Sequence, residues 1–203
     1  MKSISDTLNV IRSAAAEFEQ ETHKEALLAL IGGYAVIFHG VERTTLDIDV
    51  CFYSEEKSPG ASFYSFLKKF LLPRFKLRFL EASKDLSDPL KHDLIIIDDV
   101  KREYPRIDVL LVRYKWELEG LRQAKFIDKL SFPIMPLPYL LAMKLKAGGR
   151  KDELDAIEIL KGMSAKEMKK TRELAKKAGR DKKLKALLKE IERQEEVGYA
   201  NER

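Results

Sequence analysis

Residues 30–50, LIGGYAVIFHGVERTTLDIDV, decide the fold. The run that leads into them, "EALLALIGG", is short, apolar and stopped by Gly32-Gly33, as a buried strand ending in a turn would be. "YAVIFHG" reads as a short helix closed by Gly40. "LDIDVCFYS" alternates and is rich in strand formers, so it is the second strand. Strand, glycine turn, short helix and a strand bearing Asp-x-Asp together open an α/β arrangement.

Outward from this stretch the pattern continues. Ile4, Leu8, Ile11, Ala14 and Phe18 recur at helical spacing and predict an amphipathic helix over residues 3–22. A helix over about 60–72 precedes "RFKLRFLE", where Phe75, Leu77 and Phe79 alternate with Lys76 and Arg78 as in a strand. "HDLIIIDD" and "PRIDVLLVRY" are further strands around a polar turn at 101–104, for four or five in all. After Pro133 the character changes: "MPLPYLLAMKLKAGGRKDELDAIEILKG" predicts two helices parted by Gly148-Gly149. Ser164 and Glu167 make a capping box for a third helix, and Leu184, Leu187, Leu188 and Ile191 mark a fourth. The expectation is an α/β (α+β) core over residues 1–133 and a helical C-terminal region over 134–203.

A chain of 203 residues that is 45% hydrophobic can bury a core in one domain plus a helical extension. Its apolar stretches are too short or too interrupted to span a bilayer, and no cleavable leader pattern opens the chain, so a soluble, cytoplasmic protein is expected. Its single cysteine, Cys51, excludes an internal disulfide and a cysteine-built zinc site; it reads as a small buried hydrophobe. The net charge of +5 comes from the last fifth, where residues 163–203 hold 13 Lys+Arg against 8 Asp+Glu. Such a tail suits a polyanion, although a solvated lysine-rich helix face explains it as well.

The chemistry-bearing residues begin with Asp47 and Asp49. On a strand, residues i and i+2 share a face, so these carboxylates are expected to project together, about 6 to 7 Å apart. Two such groups repel unless a cation lies between them, and carboxylate oxygen suits a hard ion such as Mg²⁺. Gly32-Gly33 lets backbone N–H groups approach a ligand closely, and phosphate is the natural guest of such a turn. Either feature alone has an ordinary reading, as solvent-edge aspartates or a tight turn. Together, and bracketing Arg43, they point to a metal and triphosphate site. Asp108 sits in the middle of the apolar "RIDVLLV", where a carboxylate is costly without a role. Asp98 and Asp99 are rival third acids but read as turn residues. Lys144 follows Leu137, Leu140 and Leu141 on an apolar helix face, whereas Lys146 falls away from it, so Lys144 either snorkels or meets an anion. Asp152 and Asp155 share a face of the next helix and can orient Lys144 or Arg150. His39 reads as packed or capping, and Trp116, Phe75 and Phe79 as core.

These residues resemble the nucleotidyltransferase superfamily related to DNA polymerase β, and within it the AbiEii-like toxin nucleotidyltransferases. The resemblance covers about residues 25–160 through "GGYAVIFHGVERTTLDIDV", "RIDVLLV" and "LPYLLAMKLKAGGRKDELD". It implies a mixed-sheet nucleotidyltransferase core with Mg²⁺ on Asp47, Asp49 and Asp108. It also implies a nucleoside triphosphate held by Gly32, Gly33, Arg43, Thr44, Thr45 and Lys144, with Arg150, Asp152 and Asp155 matching a helix motif of the toxin members. Many superfamily members have Gly-Ser where this chain has Gly32-Gly33, so no hydroxyl is offered there.

The expected function is therefore Mg²⁺-dependent transfer of a nucleoside monophosphate from a triphosphate to an acceptor hydroxyl, with Asp108 helping to deprotonate it and Lys144 acting beside it. By resemblance the acceptor is an RNA or tRNA 3′ end, and the partner an antitoxin protein. The alternatives are a small-molecule adenylyltransferase of the antibiotic-modifying kind and a non-catalytic binding module on the same fold.

Overall fold

In the computed structural model, residues 2–84 and 91–201 are described. By internal packing the chain divides into two units, one of Met1–Ile37 with Glu42–Pro136, the other of Phe38–Val41 with Leu137–Arg203.

Among the described residues, the first unit is built on a seven-stranded mixed sheet. Its strands are β1 (Ala26–Leu30), β2 (Ile48–Ser54), β3 (Phe75–Leu80), β4 (Leu94–Asp99), β5 (Ile107–Leu111), β6 (Lys125–Ile127) and β7 (Phe132–Ile134), in the order β3-β4-β5-β2-β1-β7-β6. Helices α1 (Ile4–Thr22), α2 (Gly32–Phe38), α3 (Pro59–Phe70) and α4 (Lys115–Arg122) accompany it. The α/β expectation with a mixed sheet holds. The four or five expected strands become seven because β6 and β7 are a three-residue hairpin pair containing Lys125 and Pro133, too short to show alternation.

Strand alternation sorts the sheet into two faces. On one, Ile48, Val50 and Phe52 of β2 and Val109 of β5 are fully buried, and Phe52 stacks on Phe63 of α3 at 4.0 Å with Phe18 of α1 edge-on to both. This aromatic cluster fixes α1 and α3 to the sheet, because edge-to-face and offset-stacked rings add to the burial of their large areas. The other face carries Asp49, Cys51, Ile96, Asp98 and Asp108. Cys51 is fully buried as expected, and burial pushes its thiol well above the ordinary range. Helix α4 packs on β1. Its start is held by Glu117, which accepts from the backbone N–H groups of Arg113 and Tyr114 and lies 2.8 Å from His92 Nε2.

Asp99 justifies its reading as a turn residue. Its carboxylate accepts from the backbone N–H groups of Lys101, Glu103 and Tyr104 and from the guanidinium of Arg74, locking the 99–104 turn. Trp116 and Phe75 are buried, while Phe79 is half-buried against Tyr64.

The second unit contains α5 (Leu137–Ala147), α6 (Arg150–Lys161), α7 (Ala165–Lys177) and α8 (Asp181–Asn201). Gly148, at φ +71°, turns the chain between α5 and α6, a conformation glycine adopts without strain. Ser164 and Glu167 form the expected capping box at α7. No helix among the described residues is long and apolar enough to cross a membrane.

Candidate active site

The first half of the site grows from the turn between β1 and α2. The N–H of Ile31 donates to the Asp49 carbonyl at 2.9 Å, so the end of β1 is tied to the strand that carries the aspartate. Gly32 then turns at φ +63°, and a β-carbon there would overlap the Asp49 carboxylate. Glycine is required twice over, by its backbone conformation and by the side chain that lies against it. At Gly33 a β-carbon would stand 2.8 Å from Thr45 Oγ1 and 3.0 Å from Arg43 Cζ. The expected triphosphate residues Gly32, Gly33, Arg43 and Thr45 are thus drawn together with the expected metal ligand Asp49; Thr44 is exposed on the same loop.

Asp49 and Asp108 are register partners on the parallel strands β2 and β5. Their side chains leave the same face, one strand spacing apart, about 4.8 Å at the backbone. Asp47 departs from expectation, because it stands outside the strand, on an exposed bend one residue before Ile48. The cause is the partner strand: pairing with β5 begins where the Ile48 N–H donates to the Arg106 carbonyl, at 2.9 Å. Asp47 nevertheless acts by charge on Asp108.

Arg106 is the residue the sequence reading passed over. Its guanidinium grips the Asp108 carboxylate with both arms, Nε to Oδ1 at 2.6 Å and Nη2 to Oδ2 at 2.9 Å. Burial raises the Asp108 carboxyl above the ordinary aspartate range, Arg106 opposes that rise, and Asp47 and Asp98 add to it. The Arg106 guanidinium is itself raised, chiefly by its bonds to Asp108, with the charges of Asp47 and Asp98 assisting. Spacing alone offered the signal, since in "RID" residues i and i+2 share a strand face.

Would Mg²⁺ fit these residues? Among the described residues, no three carboxylate, imidazole or thiol groups are gathered as a closed metal cage. Magnesium in phosphate chemistry seldom uses one: it is held by one or two carboxylates and keeps its other positions for water and substrate phosphates. The Asp49 and Asp108 pair, all hard oxygen and only partly buried, fits that requirement.

The remaining expected residues belong to the second unit. Lys144, only 11% exposed, donates to Asp152 Oδ1 at 2.8 Å and pairs with Asp155 Oδ2 at 2.9 Å. Burial works against its charge, but the two carboxylates outweigh it and raise the ammonium above the ordinary lysine range. Asp152 also accepts from the Gly149 N–H at the start of α6. Arg150 is exposed at the start of α6 and takes no part in this cluster.

No family model matches the chain, and no curated protein does. Among solved structures, the chain is similar to an antigenic nucleotidyltransferase-like protein from Paracoccidioides brasiliensis, at 16% identity over 91% of this chain and 93% of that one, with a TM-score of 0.45. It is similar to the antibiotic-resistance factor ANT(2'')-Ia at 12% identity over 97% and 99%, TM-score 0.41. A cytoplasmic RNA terminal U-transferase follows at 14% identity, TM-score 0.40, with 77% of this chain spanning 38% of that one. At these identities and TM-scores the similarities assign no activity, substrate or partner.

Proposed function

We propose that this chain is a Mg²⁺-dependent nucleotidyltransferase that joins a nucleoside monophosphate to an acceptor hydroxyl. The observation that supports it most is the pairing of Asp49 with Asp108 on one sheet face, with the Asp49 carboxylate laid against a glycine turn. Asp49 and Asp108 would hold the metal, with Asp47, the third expected ligand, near enough to add its charge; the metal supplies charge neutralisation to phosphate oxygens when bound. Gly32 and Gly33 let a triphosphate approach the backbone, and Arg43, Thr44 and Thr45 border that turn as donors. Asp108, with its raised carboxyl, takes the proton of the acceptor hydroxyl. The hydroxyl oxygen forms its bond to the α-phosphorus as the bond to the bridging oxygen breaks, and pyrophosphate leaves.

In the second unit, Asp152 and Asp155 keep Lys144 charged and fixed, which suits an ammonium that meets phosphate. Arg150 completes the match to the toxin members. The acceptor in this reading is an RNA 3′ end such as that of tRNA, the basic helices α7 and α8 serving its backbone, and an antitoxin protein is the partner.

The test is to incubate the purified protein with each labelled nucleoside triphosphate and Mg²⁺, together with total RNA or, in a parallel reaction, an aminoglycoside. Label on RNA that disappears with Asp49→Asn supports the proposal. Label on an aminoglycoside but never on RNA would replace the acceptor with a small molecule, and no transfer to either would leave only a binding module.

A further inference from the structure

Arg106 is bonded to one carboxylate, is acted on by two more, and has a fourth beside its partner. Asp108 lies two residues on, in the strand that Arg106 immediately precedes, and is gripped through both oxygens. On the β2 side, Asp47 precedes the residue whose N–H binds the Arg106 carbonyl. On the β4 side, the antiparallel register Ile107↔Ile97 carries Arg106 on toward Asp98, and both aspartates act on the guanidinium by charge. Asp49 is the fourth, as the register partner of Asp108.

Without a central cation these carboxylates would repel one another across adjacent strands. A guanidinium bonded to both oxygens of Asp108 relieves that repulsion and, by the same contact, competes with a metal for the charge and lone pairs of that carboxylate. From this geometry we infer that Arg106 is a positioning residue that gates the metal site: it holds the Asp108 carboxylate in the metal-free protein and competes for it with a divalent cation, its grip loosening as the cation binds. The inference rests on the metal reading above. Asp98 gives the released guanidinium a second carboxylate on the same face. Asp98 is suited to this because it is 41% exposed and its existing partner, Arg78, is 55% exposed, a pair that water screens and that yields readily. Arg106 is itself only partly covered, at 36% exposure, so its side chain has room to swing.

The gate is read by metal binding rather than by turnover. Mn²⁺ is the probe, titrated into the full chain and followed by electron paramagnetic resonance, with thermal unfolding of the metal-free and Mn²⁺-loaded protein alongside. Arg106→Gln is expected to tighten Mn²⁺ binding about fivefold, the scale of one partly exposed ion pair, and to lower the unfolding temperature of the metal-free protein. Arg106→Lys keeps the charge but cannot cover both oxygens, so it too is expected to tighten Mn²⁺ binding. A purely long-range effect of charge would instead leave Arg106→Lys at the wild-type affinity and would overturn the gate. Equal Mn²⁺ affinity in wild type and both variants would also overturn it, with the metal site intact. Mn²⁺ binding to none of the three would overturn the gate and the metal reading together.

Discussion

The carboxylate of Asp49 lies where a β-carbon on residue 32 would stand, so Gly32 and Asp49 are complementary halves of one feature. Gly32→Ala is therefore expected to act twice. It places a side chain at φ +63°, a strain of about 1 kcal/mol or more, and it expels the Asp49 carboxylate. Thermal unfolding should fall by several degrees and transfer should be lost. Gly33→Ala has no such backbone penalty and meets Thr45 and the movable end of Arg43, so its thermal loss should be smaller. Equal losses from the two substitutions would contradict the assignment.

Asp49→Asn and Asp108→Asn should each abolish nucleotide transfer while far-ultraviolet circular dichroism stays at wild type, since both substitutions are nearly isosteric and both side chains are partly exposed near one end of their strands. For Asp108 the sign of the pH effect follows from its raised carboxyl. Its ionisation opposes folding, so its destabilising contribution is absent at pH values below about 3.9 and grows as pH rises through the folded-state value. Comparing unfolding of wild type and Asp108→Asn at pH 4 and pH 7 checks this: the variant should gain relative stability at the higher pH. A relative loss there would show that the bond to Arg106 outweighs burial.

Much of this arrangement was legible because it is local. Gly32-Gly33 punctuates one apolar run, and the short apolar run around Asp108 predicts a strand without knowledge of its neighbours. What escaped was set by partners distant in sequence. Asp47 sits off the strand because β5 begins to pair at Ile48, and nothing within "LDIDV" reveals where that happens. Arg106 looked like one charge before a strand until its fork was found on Asp108. Asp98 and Asp99 are adjacent and alike in sequence, yet alternation sends Asp99 into the buried turn and Asp98 to the face of Asp108. The hairpin of β6 and β7 is too short to carry a period at all.

Asp99 yields a second pH dependence of opposite sign. The Arg74 guanidinium holds its carboxyl far below the ordinary range, with the turn's backbone N–H groups helping against burial. A depressed carboxyl contributes stability that is fully present above the unfolded-state value of about 3.9 and is lost as pH falls through the folded-state one. Asp99→Ala should therefore lower the unfolding temperature by roughly 5 °C at pH 7 and by progressively less as the solution is acidified below pH 4. A pH-independent difference would show that Asp99 matters for shape rather than charge.

Lys144 and Lys146 should differ although they lie on one helix. Lys144 neutralises Asp152 and Asp155, the latter only 7% exposed at its side chain, so Lys144→Ala leaves a covered carboxylate without that cation. It should destabilise the protein and weaken triphosphate binding, and Lys146→Ala should do neither to the same extent. Isothermal titration with a nucleoside triphosphate and thermal unfolding measure the two effects separately. Like, small effects from both variants would reduce Lys144 to a snorkelling lysine.

The choice between an RNA acceptor and a small one turns on α7 and α8. Residues 163–189 hold 11 basic and 3 acidic side chains. On α7 the buried Thr171, Leu174 and Ala175 occupy one side, while Lys166, Lys169, Arg172 and Lys176 are all exposed and fall within one arc of the opposite side. Lys170 is drawn over the Tyr139 ring at 5.4 Å and is a poorer candidate for contact with a ligand. If the exposed row tracks a phosphate backbone, each contact releases counterions, and log affinity should fall with log salt by roughly 0.7 per contact on a single strand. Four contacts would then weaken binding by more than an order of magnitude over about a fourfold rise in salt. Reversing Lys166, Lys169, Arg172 and Lys176 to Glu should flatten that slope. Triphosphate binding should persist, because none of the four belongs to the residues assigned to the nucleotide. RNA binding at several salt concentrations, on wild type and on the reversed variant, makes the measurement; a flat slope in the wild type would mark α7 as a solvated helix face and leave the small acceptor as the stronger reading.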